Sequence, residues 1–418
     1  MAVTQDAVIL SDAGHRFGFL HIHRFVFRIG LSIANTFAWI FVLQYFINIT
    51  SSLSRAFIAV FVMYAIGQVV TIILTPISAA HLRRGTRHSL FFGALVAGGA
   101  YITLGATLGG IFNGASMGLA STPVDGPTGW GIAVFAILLG AYRAIYWVPY
   151  QLRSSTEEHG RSRLPLVYEA LIALMPAFAG ITMAVEPFAP LRLLFGSAVL
   201  LAVSLLPILP LKDYYERFSW NYGETFAQLL KPRNRRLLSS SFSGGLQGTV
   251  LFLIWPIYVF FLVGTNYKVL GAILSVTFFA VLLLRYAYRK LAHKVKFSQS
   301  VVVHIVFSMS GWVMRIFVGS PLGVVLADSY SHIGAPRTSH SIDTHTMEQT
   351  ADNGSFIDEY TALKEIGLAI GRIGACAIAG LLFVLTTPPI ALTGMLLIAG
   401  ISAAVSVYME RTAERNSF

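Results

Sequence analysis

The stretch LKDYYERFSWNYGETFAQLLKPRNRR, residues 211–236, decides the fold, because its nine charged residues are more than any stretch of that length elsewhere in the chain carries. Residues 1–210 and 237–418 on either side consist almost wholly of long apolar runs. Within the polar stretch, Leu211 to Asn221 reads as an amphipathic helix whose Tyr214, Tyr215, Phe218 and Trp220 suit a lipid headgroup layer. Lys231, Arg233, Arg235 and Arg236 form a basic cluster just before the next apolar run. The pattern is that of two membrane-embedded halves joined by a cytoplasmic linker. The alternative is a surface loop that only tethers them.

Composition fixes the class. The chain has 418 residues, of which 55% are hydrophobic and 12% charged, against about 25% charged in a soluble domain. Its mean hydropathy is +0.68. A net charge of +11 would point to nucleic acid in a soluble chain. Here the basic residues fall in short loops between apolar runs, where they set topology, so no nucleic-acid partner is expected. Cys376 is the sole cysteine, which excludes an intrachain disulfide. The N-terminal residues lack a signal-peptide layout, and the first apolar run is expected to stay as a span.

A span needs about 20 apolar residues. On that ruler the first half holds spans near 24–47, 55–77, 89–112, 130–152, 166–187 and 190–210. The second half holds 237–263, 267–288, 297–318, 320–343, 359–386 and 389–409. The expected fold is therefore an all-α polytopic membrane protein with an N-terminal bundle (1–210), a linker (211–236) and a C-terminal bundle (237–418). Alternate loops carry Arg83, Arg84 and Arg87, then Arg153, Arg161 and Arg163, then the central cluster, then Arg289, Lys290, Lys294 and Lys296. The loops between them hold only Arg55, Arg192 and Lys268 as basic residues. Cytoplasmic loops collect Lys and Arg, which predicts cytoplasmic termini in a plasma or bacterial inner membrane.

Between the second and third spans stands Ser78-Ala79-Ala80-His81-Leu82-Arg83-Arg84-Gly85-Thr86-Arg87-His88. The fourth span carries Leu139-Gly140-Ala141-Tyr142-Arg143-Ala144, and the fifth Met175-Pro176-Ala177-Phe178-Ala179-Gly180. In layout and in the order of these motifs, the whole chain resembles the major facilitator superfamily of secondary transporters. Arg83, Gly85 and Arg87 match the family's cytoplasmic loop motif, whose acidic residue is absent here. The resemblance implies that these residues, with Arg84, form a conformational latch paired to Glu157 and Glu158. Arg143 matches an intramembrane arginine, and the Pro176–Gly180 segment is similar to a motif of exporters.

Charged groups inside a span cost at least ~2.5–3.5 kcal/mol each on insertion scales and usually face a cavity or a partner. Asp328 and His332, four apart, share one helix face near mid-membrane. They are candidates for proton coupling, for metal ligation, or for an internal hydrogen-bonded pair. Arg143 is the other deep charge, with Glu169 of the next span as its candidate partner. Polar stripes at helical spacing mark candidate cavity residues: Arg28, Asn35 and Trp39 in the first span, Tyr64 and Gln68 in the second, Tyr142 and Tyr146 in the fourth, and Gln247 and Tyr258 in the seventh. The resemblance places the cavity among spans one, four, seven and ten. Glu365 and Arg372, seven apart in the eleventh span, read as gate contacts to the first half, part of the same conformational machinery.

No Gly-rich phosphate loop, paired-cysteine motif or HExxH motif occurs in the sequence, and no cofactor is implied. No nucleophile and base stand at a readable spacing, so an enzyme is not expected. The leading reading is a monomeric secondary transporter working by alternating access, an antiporter that exports a small organic molecule in exchange for protons. The alternative is a divalent metal ion transporter with Asp328 and His332 as ligands. A receptor or enzyme built on the same fold is the third.

Overall fold

Every long helix is apolar around most of its circumference, so it can bury one side and present the other to lipid. Phe92, Val199, Leu283 and Ile401 stand on outward faces while Phe37, Leu104, Val250 and Ala399 are buried. The computed structural model describes residues 18–111, 129–157, 166–185, 189–213, 215, 218–291, 301–334 and 357–415. The first half comprises α1 (Gly18–Thr50), α2 (Leu53–His81), α3 (Thr86–Leu108), α4 (Gly129–Glu157), α5 (Leu166–Val185) and α6 (Ala189–Val203). A short helix, α7 (Tyr222–Leu230), lies in the linker. The second half begins with α8 (Arg235–Thr249), a π-helical turn (Val250–Ile254) and α9 (Trp255–Leu262), which together make one pass. It continues with α10 (Tyr267–Leu291), α11 (Val301–Ile316), α12 (Pro321–Gly334), α13 (Ile357–Leu385) and α14 (Pro388–Arg415).

The result is an all-helical bundle with six passes on each side of the linker. Ten of the helices are long and apolar enough to cross a membrane among the described residues. The other two, α11 and α12, adjoin residues outside the described set. The π turn has a local cause: Pro256 has no N–H to donate backwards, and the helix widens just before it.

The halves meet chiefly along α2 with α13 and α5 with α10. In the second of these contacts, Gly180 and Gly271 bring backbones together, and a Cβ on Gly271 would overlap the Pro176 carbonyl. Ser275 of α10 accepts the Ala177 N–H at 2.9 Å. The segment read as exporter-like is thus a crossing point between halves. At the end away from the linker, Phe57 of α2 stacks on Phe383 of α13 at 4.4 Å, and Tyr267 bonds to Gln44.

The linker corrects the sequence reading. Its described residues from Leu211 to Asn221 are not helical; the helix follows at Tyr222–Leu230, where Glu224 accepts the Asn221 N–H at 3.3 Å. Its described residues dock on both halves. Phe218 is fully buried between Ala79 of α2 and Ala362 of α13. Its carbonyl accepts from Arg83 at 2.6 Å, while Ser219 donates through its N–H and hydroxyl to Glu359 at 2.7 and 2.6 Å. It is more than a tether.

Candidate functional site

The polar residues that meet between the halves come from α1, α2, α4 and α13. Their arrangement starts from a close crossing of α2 and α4. A Cβ on Gly67 would lie 2.7 Å from the Ala136 carbonyl, one on Gly140 would overlap Gly67 itself, and Thr71 donates to the Gly140 carbonyl at 3.0 Å. Three residues past Gly140, Arg143 therefore reaches α2. Its Nη1 donates to the Tyr64 hydroxyl at 3.4 Å, and its guanidinium lies 5.3 Å from the Tyr64 ring centroid. One turn along α2, Gln68 Oε1 accepts from Arg372 of α13 at 3.2 Å. Trp39 stands edge-on to Tyr64 at 5.2 Å, and Tyr101 donates to Asn35 at 2.6 Å. Tyr142 is buried beside Arg143.

Asn35, Trp39, Tyr64, Gln68, Tyr142 and Arg143 thus lie in one cluster. Arg372 joins it from the other half. The expected Arg143–Glu169 pair does not form: the α2–α4 crossing aims the guanidinium at Tyr64, and Glu169 sits half-exposed in the first turn of α5. Tyr146 packs on Tyr142, ring centroids 5.6 Å apart, and its hydroxyl turns away to His23 Nε2 at 2.9 Å, while His23 Nδ1 meets the Ser204 carbonyl at 2.7 Å. Arg28 lies at an exposed position on α1. Gln247 bonds its own helix at Ser243, and Tyr258 donates to the Val318 carbonyl at 3.1 Å.

Asp328 has a partner that sequence reasoning missed. Arg315 Nε donates to Asp328 Oδ1 at 2.8 Å, and Trp255 Nε1 donates to Oδ2 at 3.0 Å. Arg315 also donates to Ser331 at 2.8 Å and lies over the Trp312 ring at 4.6 Å. Side-chain exposures of 3% and 7% make this a buried ion pair inside the second half. Each carboxylate oxygen accepts one of these bonds, and the buried arginine supplies the counter-charge that a proton or metal ion would otherwise bring. His332 lies one turn further on α12, and its side chain falls outside the described residues. The available signal was a second charge, Arg315, in the span packed antiparallel to the one that carries Asp328. Among the described residues, no three His, Cys, Asp or Glu side chains are grouped to hold a metal ion.

The latch residues meet other partners where they are described. Glu158 and the side chain of Glu157 lie outside the described residues. Arg83 bonds the Phe218 carbonyl, Arg84 is exposed, and the Arg87 N–H donates to Asp213 at 3.0 Å. His88 Nδ1 also lies 3.2 Å from Asp213. The linker therefore supplies the acidic group that the loop motif lacks. Gly85, with φ of +111°, is the turn that admits it. Glu365 and Arg372 do reach the first half, through helices rather than loops: Gln151 donates to Glu365 at 3.1 Å, and Arg372 to Gln68.

No protein-family model and no curated protein sequence matches this chain. Solved structures do. A bacterial homologue of the iron transporter ferroportin, in an inward-facing state, superposes with a TM-score of 0.63 at 14% identity, over 94% of this chain and 97% of the other. A D-xylose–proton symporter gives 0.60 at 10%, over 92% and 96%. The fucose:proton symporter of E. coli gives 0.55 at 10%, over 95% and 98%. Likeness at such low identity is a likeness of architecture, and with the six-plus-six helices and the crossings between halves it shows that this chain has the major facilitator fold.

Proposed function

We propose that the chain is a secondary transporter that carries a small organic molecule across a membrane by alternating access. One observation carries this reading. Tyr64 and Arg143 from one half and Arg372 from the other place hydrogen-bonding groups at the buried boundary along which two helical bundles can rock. Two of the structural neighbours are proton symporters of sugars by title, which supports a small organic substrate and proton coupling. Export in exchange for protons is the direction we infer, on the resemblance of Pro176–Gly180 to an exporter motif.

The coupling role read for Asp328 passes in this proposal to Glu365. It is 5% exposed, stands at the contact of α13 with α4, and has the neutral Gln151 amide as its hydrogen-bond donor. A metal ion substrate is the second reading, favoured by the likeness to the ferroportin homologue. Against it stands the engagement of Asp328 by Arg315 and Trp255. Purified protein in liposomes decides between them. Efflux of an organic solute driven by a proton gradient supports the proposal, and flux of divalent metal ions alone overturns it in favour of the second reading.

A further inference from the structure

We propose that the transported molecule is an organic anion whose carboxylate or phosphate group is held between Arg143 and Arg372, an inference that rests on the transporter reading above. The two guanidiniums come from opposite halves, and each bonds a neutral group, the Tyr64 hydroxyl or the Gln68 amide. Those groups are only 3% and 2% exposed, one turn apart on α2. The arginines lie close enough to repel one another. Both side chains are partly buried, and Glu365, two turns along α13, is the described carboxylate near enough to offset Arg372. Two like charges drawn out of water with one counter-charge between them are costly.

The other described carboxylates bond elsewhere. Asp328 accepts from Arg315 and Trp255, and Glu359 from Ser219 at the linker. Glu365, two turns from Arg372 on α13, accepts from Gln151. An oxyanion supplies the missing charge, and the planar fork of arginine matches carboxylate and phosphate oxygens in pairs. Tyr64 and Tyr142 are buried aromatic neighbours of Arg143, Trp39 packs on Tyr64, and an organic body would meet all three when the halves part. Because one arginine belongs to each half, the anion also removes repulsion across the moving boundary. Occupancy then favours closure over the substrate.

The test uses the full-length protein in nanodiscs, with succinate, lactate and inorganic phosphate as probes at matched ionic strength, and glucose and choline as neutral and cationic controls. At least one anion should raise Tm where glucose and choline do not. Arg143→Gln and Arg372→Gln should each weaken that anion by about tenfold or more, the scale of a lost charge-assisted hydrogen bond. Arg192→Gln, an exposed arginine of α6, should not. If a Gln variant does not fold, Arg143→Lys and Arg372→Lys keep the charge, lose the fork, and should still bind more weakly than wild type. Anion shifts equal in wild type and all four site variants would overturn the proposal, as would stabilisation by glucose alone, and both outcomes leave the transporter reading standing. Arginine-dependent anion binding with no solute flux in liposomes would instead remove the transporter reading.

Discussion

The Asp213 carboxylate occupies the space that a side chain at Gly85 would need: a Cβ there would overlap it, at a backbone φ of +111°. Asp213 Oδ1 accepts the Arg87 N–H at 3.0 Å, near the start of α3. A linker residue thus caps a helix of the first half, while Ser219 of the same linker bonds Glu359 of the second. Asp213→Ala should lower stability by about 1 kcal/mol, the usual value of a lost N-cap. Gly85→Ala should cost more, because overlap adds to ~1–3 kcal/mol of backbone strain. Thermal unfolding of the purified variants checks the order. A Gly85→Ala protein as stable as wild type would show that the loop and linker are not packed as described.

The buried Arg315–Asp328 pair makes a prediction opposite to that of a proton carrier. Asp328→Asn leaves Arg315 buried without its counter-charge and should destabilise by about 3–5 kcal/mol. Removing both charges, with Arg315→Gln added, should recover part of that loss in a double-mutant cycle. Were Asp328 the coupling acid, Asn would leave Tm near wild type and abolish the response to pH. Tm and proton-driven flux measured on the same two preparations separate these outcomes.

The bundle was legible in the sequence because its determinants are local. Runs of about 20 apolar residues and basic loops need no knowledge of packing. That Tyr64 and Gln68 share a face of α2 was legible for the same reason, through helical period. The misreadings all involve partners distant in the chain. Arg315 with Asp328 depends on how α11 packs on α12. Asp213 with Gly85 depends on where the linker lies, and the described residues of Leu211–Asn221 dock on both halves rather than wind into the amphipathic helix their pattern favoured. Arg372 read as a contact to the first half and is one, but nothing local reveals that its partner there is Gln68 of α2.

Topology is checked by labelling. The charge pattern predicts that the linker end of the bundle, with Arg84 and Arg235, faces the cytoplasm. Cys376 is 4% exposed and easily replaced as background. In that background, Arg84→Cys and Arg235→Cys should resist membrane-impermeant thiol reagents in intact cells and react after permeabilisation. Reaction of both from outside would invert the assignment.

The last prediction concerns Glu365, whose Oε1 accepts the Gln151 amide at 3.1 Å across the contact of α13 with α4. A carboxylate buried at a boundary that must open and close has to change either partner or protonation as it moves. Its hydrogen-bond donor here is an uncharged amide, and Arg372, two turns along α13, is close enough to act on it through charge. Glu365→Gln imitates the protonated acid and can keep a hydrogen bond to Gln151 with an amide flip. Stability should therefore change little, unlike Asp328→Asn. Flux driven by a proton gradient should be lost in Glu365→Gln, while exchange of labelled for unlabelled substrate, which needs no net proton movement, persists. Gln151→Ala leaves the acid in place and removes its donor. It should displace the pH dependence of transport without uncoupling it. Proton-driven flux at the wild-type rate in Glu365→Gln would move the coupling site elsewhere and leave Glu365 as a contact between the halves.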